Sequence, residues 1–346
     1  MNVTLSMVVL TRNRRESLKR CLSSLFAQTF PKGRLEIIII DDGSSDGTGR
    51  AVEPLLRDHD RLRYHFQIHR GVAAARNEGL KLARGGVVAF LADDYLLPPD
   101  YARRVMSFFK DNPAAEVVRS RIVTNALGFI GRVIQFYDNT NFRSRLSLPG
   151  EEQTARGLYL LRTFFKRLPP EPDAVTIRHN LEASGAAAFQ RSVFSKVGVF
   201  DERLARGEDT ELTDRLNRAA IAVHYDPHLI IRHVREYSLG HFLVARFTSG
   251  MSRYDYVRHG ADSRSGSERE SVTSQARPRN PFFVLMRAGY NLIFRPLGCV
   301  RQAESLAGGV LYYPFVLLFD IAYELGFLGA SVSYRNSGRN IDGGVG

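Results

Sequence analysis

Residues 86–95, Gly-Val-Val-Ala-Phe-Leu-Ala-Asp-Asp-Tyr, constrain this chain more than any other stretch. Val87 to Leu91 is a short apolar run with β-branched side chains, which reads as a buried strand. Two acids, Asp93 and Asp94, stand where that strand must end, and Pro98-Pro99-Asp100 opens a helix beyond them. In an open α/β sheet the ligand sits outside the carboxyl ends of the strands. Adjacent acids placed there repel each other unless a cation lies beside them. A hard divalent ion carrying a diphosphate meets that need, because Mg²⁺ takes one or two protein carboxylates and completes its shell with phosphate and water. A solvated acidic turn that caps the next helix is the competing reading, and this stretch alone leaves both open.

The same layout recurs along the N-terminal part. Ser6 to Leu10 ends in Thr11-Arg12-Asn13-Arg14, and a helix follows with Leu18, Cys21, Leu22 and Leu25 on one face. Glu36 to Ile40 ends in Asp41-Asp42-Gly43-Ser44-Ser45-Asp46-Gly47. Arg63 to Ile68 leads through His69-Arg70-Gly71 into a helix carrying Ala75, Arg76, Asn77, Leu80 and Leu82. Strand and helix in this rhythm predict a parallel sheet with helices on both faces. The loop after the second strand holds acids where a P-loop holds phosphate-cradling glycines, and Gly47-Thr48-Gly49 lacks the third glycine of a dinucleotide fingerprint. A carboxylate at Asp42 can accept the ring N–H of uracil, thymine or guanine. It can equally fold its own loop as an Asx-turn, a role for which Asp41 is the better candidate.

Further along, Val117 to Val123 alternates as a strand does, and Gly131 to Tyr137 is another short strand candidate. Arg156 to Arg167 has a helical pattern that Pro169-Pro170-Glu171-Pro172 stops. A second chemical cluster starts at Ala183-Ser184-Gly185 and runs to Gly207-Glu208-Asp209. The helix after it carries Leu212, Leu216 and Ala219 on one face, with Glu211 and Arg215 as an i,i+4 pair. Asp209 therefore lies in a first helical turn, where the dipole favours a carboxylate; plain capping is the alternative. Val223 to His233 reads as a last strand or edge segment.

Strand ends carrying Thr11, Asp42 and Asp93-Asp94 resemble the nucleotide-binding half of family 2 glycosyltransferases. Val8-Val9-Leu10-Thr11-Arg12-Asn13 is similar to the family's opening pattern, and Ile39-Ile40-Asp41-Asp42-Gly43-Ser44-Ser45-Asp46 to its second. Gly71 to Gly79 matches its Gly-x-x-x-Ala-Arg-Asn-x-Gly run, and Phe90-Leu91-Ala92-Asp93-Asp94 its metal motif. The resemblance covers residues 4 to 235. It implies an α/β GT-A nucleotide-diphospho-sugar transferase fold, a mostly parallel Rossmann-like sheet flanked by helices. It assigns Thr11, Asn13, Asp42, Arg70, Arg76 and Asp93 to the nucleotide, Asp94 and His233 to a Mg²⁺ or Mn²⁺ ion, and Gly185 and Glu208 to the acceptor side. Asp209 becomes the general base that takes the proton of the attacking hydroxyl. Attack opposite the leaving diphosphate, whose charge the metal stabilises, inverts the anomeric centre. One departure stands out: the usual D-x-D puts an acid where this chain has Ala92. That leaves Asp94 as the direct ligand and Asp93 as a ribose contact or a support behind it.

The remainder bears on location and acceptor. The formal net charge of +12 calls for an anionic partner: a membrane surface, a nucleotide diphosphate or a nucleic acid. Cys21 and Cys299 make no disulfide framework, so a reducing cytosol is expected, and no signal-peptide pattern precedes the first strand. Residues 241–256 are basic and aromatic, and 261–280 are Ser/Arg-rich and read as a flexible linker. Two apolar stretches follow, 281–300 and 306–332, the first broken by Arg287, Arg295 and Pro296, the second holding Pro314, Asp320 and Glu324. Neither is a clean span, and acids at a bilayer centre are costly, so amphipathic helices lying in the interface against anionic lipid fit better. A re-entrant hairpin and a helical cap on the catalytic domain stay open. The expected organisation is a catalytic domain at 1–237, split at 112/113 into nucleotide and acceptor halves, and a helical, membrane-associated region at 238–346.

The expected activity is transfer of one sugar from a UDP-, GDP- or dTDP-linked donor to a lipid-linked saccharide or cell-surface polysaccharide precursor, at the cytoplasmic face of the cell membrane. The chain has no tryptophan and so lacks the Gln-x-x-Arg-Trp motif of the family's processive synthases. Two rivals remain. A catalytically inactive scaffold of the same fold is favoured by Ala92. A nucleic-acid-binding protein is permitted by the charge, but no recognisable module interleaves its basic and aromatic residues, so no nucleic-acid partner is expected.

Overall fold

Alternation along the first strands decides the layering. β1 (Leu5–Thr11) and β2 (Leu35–Asp42) run parallel, with Leu5 beside Leu35 and Thr11 beside Asp41. Leu5, Met7, Val9, Ile37 and Ile39 join one core, to which α1 (Arg15–Phe26) contributes Leu18, Cys21, Leu22 and Leu25. Val8, Ile38 and Ile40 join the other, with Ala73, Ala75 and Leu80 of α3 (Val72–Leu82). Gly79 lets α3 lie close on the sheet, since a Cβ there would run into the Val8 side chain. Strands covered on both faces read as unbroken apolar runs, which is why these were recognisable. The computed structural model describes residues 3–124, 128–146, 172–178, 181, 185–204, 207–234, 238–262 and 305–339, with isolated positions between 289 and 303.

The remaining strands are β3 (Leu62–Gln67), β4 (Val87–Ala92), β5 (Tyr95–Leu96), β6 (Val117–Thr124), β7 (Thr176–Arg178), β8 (Ala186–Gln190) and β9 (Val223–His233). They form one sheet in the order β3-β2-β1-β4-β8-β6-β9-β5, with β7 on β9. From β3 to β4 every pairing is parallel, so the carboxyl ends of β1, β2 and β4 share one edge. Beyond β4 the sheet is mixed. β8 runs antiparallel to β4 and β6, and β9 runs parallel to β6 but antiparallel to β5. Helices α2 (Thr48–Asp58), α4 (Tyr101–Asp111), α6 (Val193–Val197) and α7 (Glu208–Arg218) complete this part.

The chain divides into two compact units, 1–125 with 172–235, and 126–171 with 236–346. This differs from the expected division at 237/238, because residues 126–171 group with the C-terminal part. In the second unit α5 (Gly128–Leu146), α8 (Leu239–Asp262) and α9 (Leu306–Arg339) bury Val133, Ile134, Tyr137, Phe242, Val316 and Phe319. The strand expected at Gly131–Tyr137 is thus helix. Phe129, Val133 and Tyr137 recur every four residues, and β-branched Val133 and Ile134 in a short run conceal that period. α8 and α9 touch backbone to backbone, since a Cβ at Gly250 would meet the Tyr323 carbonyl and one at Gly326 the Phe247 carbonyl.

Within α9, Ala307–Ala330 is long and apolar enough to cross a membrane, with a mean hydropathy of 1.4. The helix runs unbroken through Pro314. Its acids, held at the outset to weigh against a span, turn inward: Asp320 and Glu324 are buried, and the Tyr137 hydroxyl donates to Asp320 Oδ1 at 2.7 Å. The expected helix at 156–167, linker residues 263–280 and most of the apolar stretch 281–300 lie outside the described residues.

Candidate active site

The acids at 93 and 94 are gathered by pairings far apart in sequence. After β4 the chain turns through them into β5, where Tyr95 sits opposite His233 and Leu96 opposite Arg232 of β9. The Val234 amide donates to the Asp94 carbonyl at 2.9 Å. That clamp brings His233 Nε2 to 3.2 Å from Asp94 Oδ2. Thr11, ending the neighbouring β1, donates through Oγ1 to Asp93 Oδ2 at 2.7 Å. Arg14 Nη1 then reaches both acids, at 3.1 Å from Asp93 Oδ1 and 2.8 Å from Asp94 Oδ2. The two carboxylates are buried, while the Arg14 side chain is 39% exposed.

Burial pushes the Asp93 carboxyl above its usual range; the Arg14 charge and the Thr11 hydrogen bond pull against it, and the Asp94 charge adds to the rise. For Arg14 burial acts against the charge, but Asp93 and Asp94 outweigh it and raise the guanidinium's pKa. Cys21 lies nearby, buried and free, and burial drives its thiol upward, so it is a core group and not a nucleophile. Asp94 Oδ2 and His233 Nε2 are close enough to share one ion, and a carboxylate with an imidazole suits Mn²⁺. Among the described residues no three His, Cys, Asp or Glu side chains cluster to hold a metal. The pair would therefore need oxygens from a ligand to complete a shell, which is how Mg²⁺ is held beside phosphate.

At the end of β2, Asp42 is more heavily engaged than the sequence suggested. Gln67 Nε2 and the Arg70 amide donate to Oδ1 at 2.7 and 2.9 Å, and His69 Nδ1 and the Gly71 amide to Oδ2 at 2.7 and 3.0 Å. Arg12 Nη1 lies 2.9 Å from His69 Nε2. Arginine can only donate, so Nε2 accepts and the ring hydrogen sits on Nδ1, aimed at Asp42. Asp41 takes the loop-folding role, accepting from the Ser44 amide at 2.8 Å and the Tyr64 hydroxyl at 2.6 Å. Gly43 is left-handed at φ +84°, and a Cβ there would come within 2.8 Å of the His69 nitrogen. Asn13, also left-handed at φ 53°, ties the β1 loop to this one: its Oδ1 accepts from the Ser45 amide at 2.7 Å, and its own amide donates to Ser44 Oγ at 2.8 Å.

A third group surrounds the start of α7. Arg76 is turned inward, pairs with Glu208 and lies 5.3 Å over the Phe200 ring. Gly185 faces it, since a Cβ there would sit 3.8 Å from Arg76 Nη2. Arg70 is exposed and bonds Glu202 at 2.6 Å, while Asn77 holds the same glutamate at 2.9 Å. Asp209 is half-buried in the first turn of α7, where its Oδ1 accepts from the Thr210 amide at 2.8 Å. The structure thus unites Thr11, Asp93, Asp94 and His233 in one cluster, Asp42 with the Arg70 backbone in a second, and Arg76, Glu208 and Gly185 in a third. Arg14, Gln67, His69 and Glu202 were missed. Arg14 offered a signal, being a cation three residues past the strand end that carries Thr11.

Comparisons with known proteins show the family and the fold. A family model described as Glycosyl transferase family 2 matches residues 6–197. The putative glycosyltransferase EpsH of Bacillus subtilis is 34% identical over 101 residues, 29% of either chain. The poly-beta-1,6-N-acetyl-D-glucosamine synthase of Staphylococcus epidermidis is 26% identical over 223 residues, 64% of this chain and 48% of that one. In both cases the match spans less than half of the relative's length. Mannosyltransferase PcManGT from Pyrobaculum calidifontis, solved with GDP-Man and Mn²⁺, superposes with a TM-score of 0.57 at 16% identity, covering 95% of this chain and 88% of that one. S. aureus TarS 1-349, solved with UDP-GlcNAc, gives 0.51 at 15% identity over 97% and 92% of the two chains. At such identities the likeness is one of fold.

Proposed function

The chain belongs to glycosyl transferase family 2, and we propose from that premise that it moves one sugar from a nucleoside-diphosphate sugar to an acceptor hydroxyl with inversion. It is a transferase with a GT-A-like α/β fold. The observation that carries the reading is the strand-end cluster, where Thr11, Asp93, Asp94 and His233 meet at the carboxyl edge of parallel strands. That edge is where an open α/β sheet takes its ligand. The nucleotide would lie along Thr11, Asn13, Asp42, Arg70 and Asp93. Asp42 already accepts four donors, so a base N–H would have to replace one of them; the two backbone amides are fixed, and of the two side chains half-exposed His69 is freer to rotate away than buried Gln67. Arg76, paired with Glu208, would stiffen the wall between nucleotide and acceptor.

Asp94 and His233 would hold Mg²⁺ or Mn²⁺, which when bound draws off the charge of the leaving diphosphate. Asp209 would accept the proton of the acceptor hydroxyl as that oxygen attacks. A base at a helix start suits the task, because its carboxylate is fixed by a backbone amide. Gly185 and Glu208 would shape the acceptor side. A polysaccharide synthase among the relatives supports a glycan acceptor, and the apolar helix at 307–330 is compatible with work at a membrane, where the acceptor would be lipid-linked and the face the cytoplasmic one.

A thermal-shift screen tests the reading: full chain with Mn²⁺ against UDP, GDP, dTDP and CMP, with Asp94→Ala alongside. One nucleoside diphosphate is expected to stabilise the wild type only with metal, and the variant not at all. No shift with any nucleotide would overturn the reading in favour of an inactive scaffold.

A further inference from the structure

Among the described residues, Arg14 is a cation whose side chain bonds both strand-end acids, and it does so through a single nitrogen. Three features set it apart from an ordinary structural ion pair. Its partners are buried while it is 39% exposed, so it covers the acids from the solvent side and has room to leave. Its approach is fixed, because Asn13 just before it is left-handed and tied to Ser44 and Ser45. And it takes the same oxygen, Asp94 Oδ2, that His233 Nε2 faces at 3.2 Å. An ion held by Asp94 and His233 would sit about 2 Å from that oxygen. A guanidinium still bonded there at 2.8 Å would face a divalent charge at close range, in a pocket that screens poorly.

Resting on the transferase reading, we propose that Arg14 is an exchangeable counter-ion of the donor site. With no donor bound it offsets part of the charge of Asp93 and Asp94 and excludes a free divalent ion from Asp94 Oδ2. When the ion arrives with a nucleoside diphosphate, Arg14 gives up that oxygen and turns its fork to the phosphates, a geometry guanidinium matches in two bonds. The exchange moves no proton and breaks no covalent bond. Its consequence is thermodynamic coupling: the site is poor for metal alone and good for metal with diphosphate, which saves the acids from capturing stray ions. Ala92 fits this division of labour, because a third acid at that position would add charge that a single arginine offsets still less.

Electron paramagnetic resonance of free Mn²⁺ reads the claim without turnover. The full-length chain is titrated with Mn²⁺, with and without UDP or GDP, as wild type, Arg14→Gln and Arg14→Lys; circular dichroism melting confirms that each variant is folded. Arg14→Gln is expected to bind Mn²⁺ alone about tenfold more tightly than the wild type and to lose about tenfold in affinity for the diphosphate with Mn²⁺. Arg14→Lys keeps the charge, so metal alone stays weak, but it lacks the fork and loses diphosphate affinity. Should the wild type show metal-dependent nucleotide binding and Arg14→Gln match it in both titrations, Arg14 is only a tie and the proposal falls by itself. Should the wild type bind no nucleotide with Mn²⁺, the transferase reading falls and takes the proposal with it.

Discussion

Each of the two units buries a pair of acids, and the pairs are built on opposite plans. In the sheet unit Asp93 and Asp94 end a strand, and their counter-charge is a half-exposed arginine on a loop. In the helical unit Asp320 and Glu324 sit one turn apart on α9, each at most 3% exposed. There the Tyr137 hydroxyl donates to Asp320, and Arg246 stacks 5.1 and 4.9 Å over the rings of Tyr137 and Tyr323. Burial alone does not tell a site from a scaffold, since both pairs are buried. What separates them is access. A divalent ion brought in by a ligand's phosphates can take the place of Arg14 beside Asp94, whereas nothing can reach fully buried Asp320 without parting the helices. The first pair is placed to exchange partners and the second to keep them.

The widest gap between the units should appear in turnover. Asp209→Asn keeps the shape of the first turn of α7 and removes the proposed base, so kcat should fall about 10²- to 10⁴-fold while the nucleotide-induced melting shift survives. A parallel loss of nucleotide binding would show that Asp209 serves the donor and not the acceptor. Next in size is a stability effect confined to the helices. Gly326→Val drives a side chain into the Phe247 carbonyl and should cost about 3 kcal/mol in urea unfolding. Smaller again, Tyr137→Phe takes a donor from buried Asp320 and should cost about 1–3 kcal/mol. Asp94→Asn should do the reverse, leaving the melting temperature almost unchanged and abolishing the Mn²⁺-dependent shift. If Tyr137→Phe left stability alone, or Asp94→Asn unfolded the protein, the contrast between exchangeable and permanent pairs would be broken.

The same contrast explains what could be read from the chain. Thr11, Asp42, Asp93 and Asp94 were legible because each follows an apolar run, and a run buried on both faces announces its own end. His233 was marked by resemblance only; it reaches Asp94 because β5 and β9 pair antiparallel across more than a hundred residues, which no local pattern encodes. Arg14 was missed for another reason. It stands among Arg12 and Arg15, and a cation in a loop carries no periodicity to say which of three points inward. Arg76 could have faced the diphosphate or the core, and the alanines before it, Ala73 to Ala75, are what lay that turn of α3 against the sheet. In the helical unit the short apolar run at 131–137 suited strand and helix alike, and only packing against α8 and α9 decided. The grouping of 126–171 with 236–346 is likewise a long-range fact.

The smallest expected effect compares two acids inside the sheet unit. Asp93 is raised by burial, whereas Asp46 is lowered, first by the Thr48 hydroxyl at 2.5 Å and further by the Arg15 and Thr48 amides. A carboxyl held below its unfolded value contributes stability that is present above the unfolded pKa and disappears as pH falls through the folded one. Asp46→Asn keeps an acceptor for Thr48 but not the charge. Wild type should therefore be the more stable of the two near neutral pH, and the gap should close as pH is lowered from about 5 towards 3. Because Asp46 is open to solvent the gap should be slight, and because hydrogen bonds come first among its causes, salt should change it little. Urea midpoints of both proteins across that range, at low and high salt, measure it. A gap that widened on acidification would mean that burial governs Asp46 as it governs Asp93. A gap that salt erased would mean that the neighbouring cations Arg15, Lys19 and Arg50, which line a cleft with Asp46, hold its charge in place of Thr48.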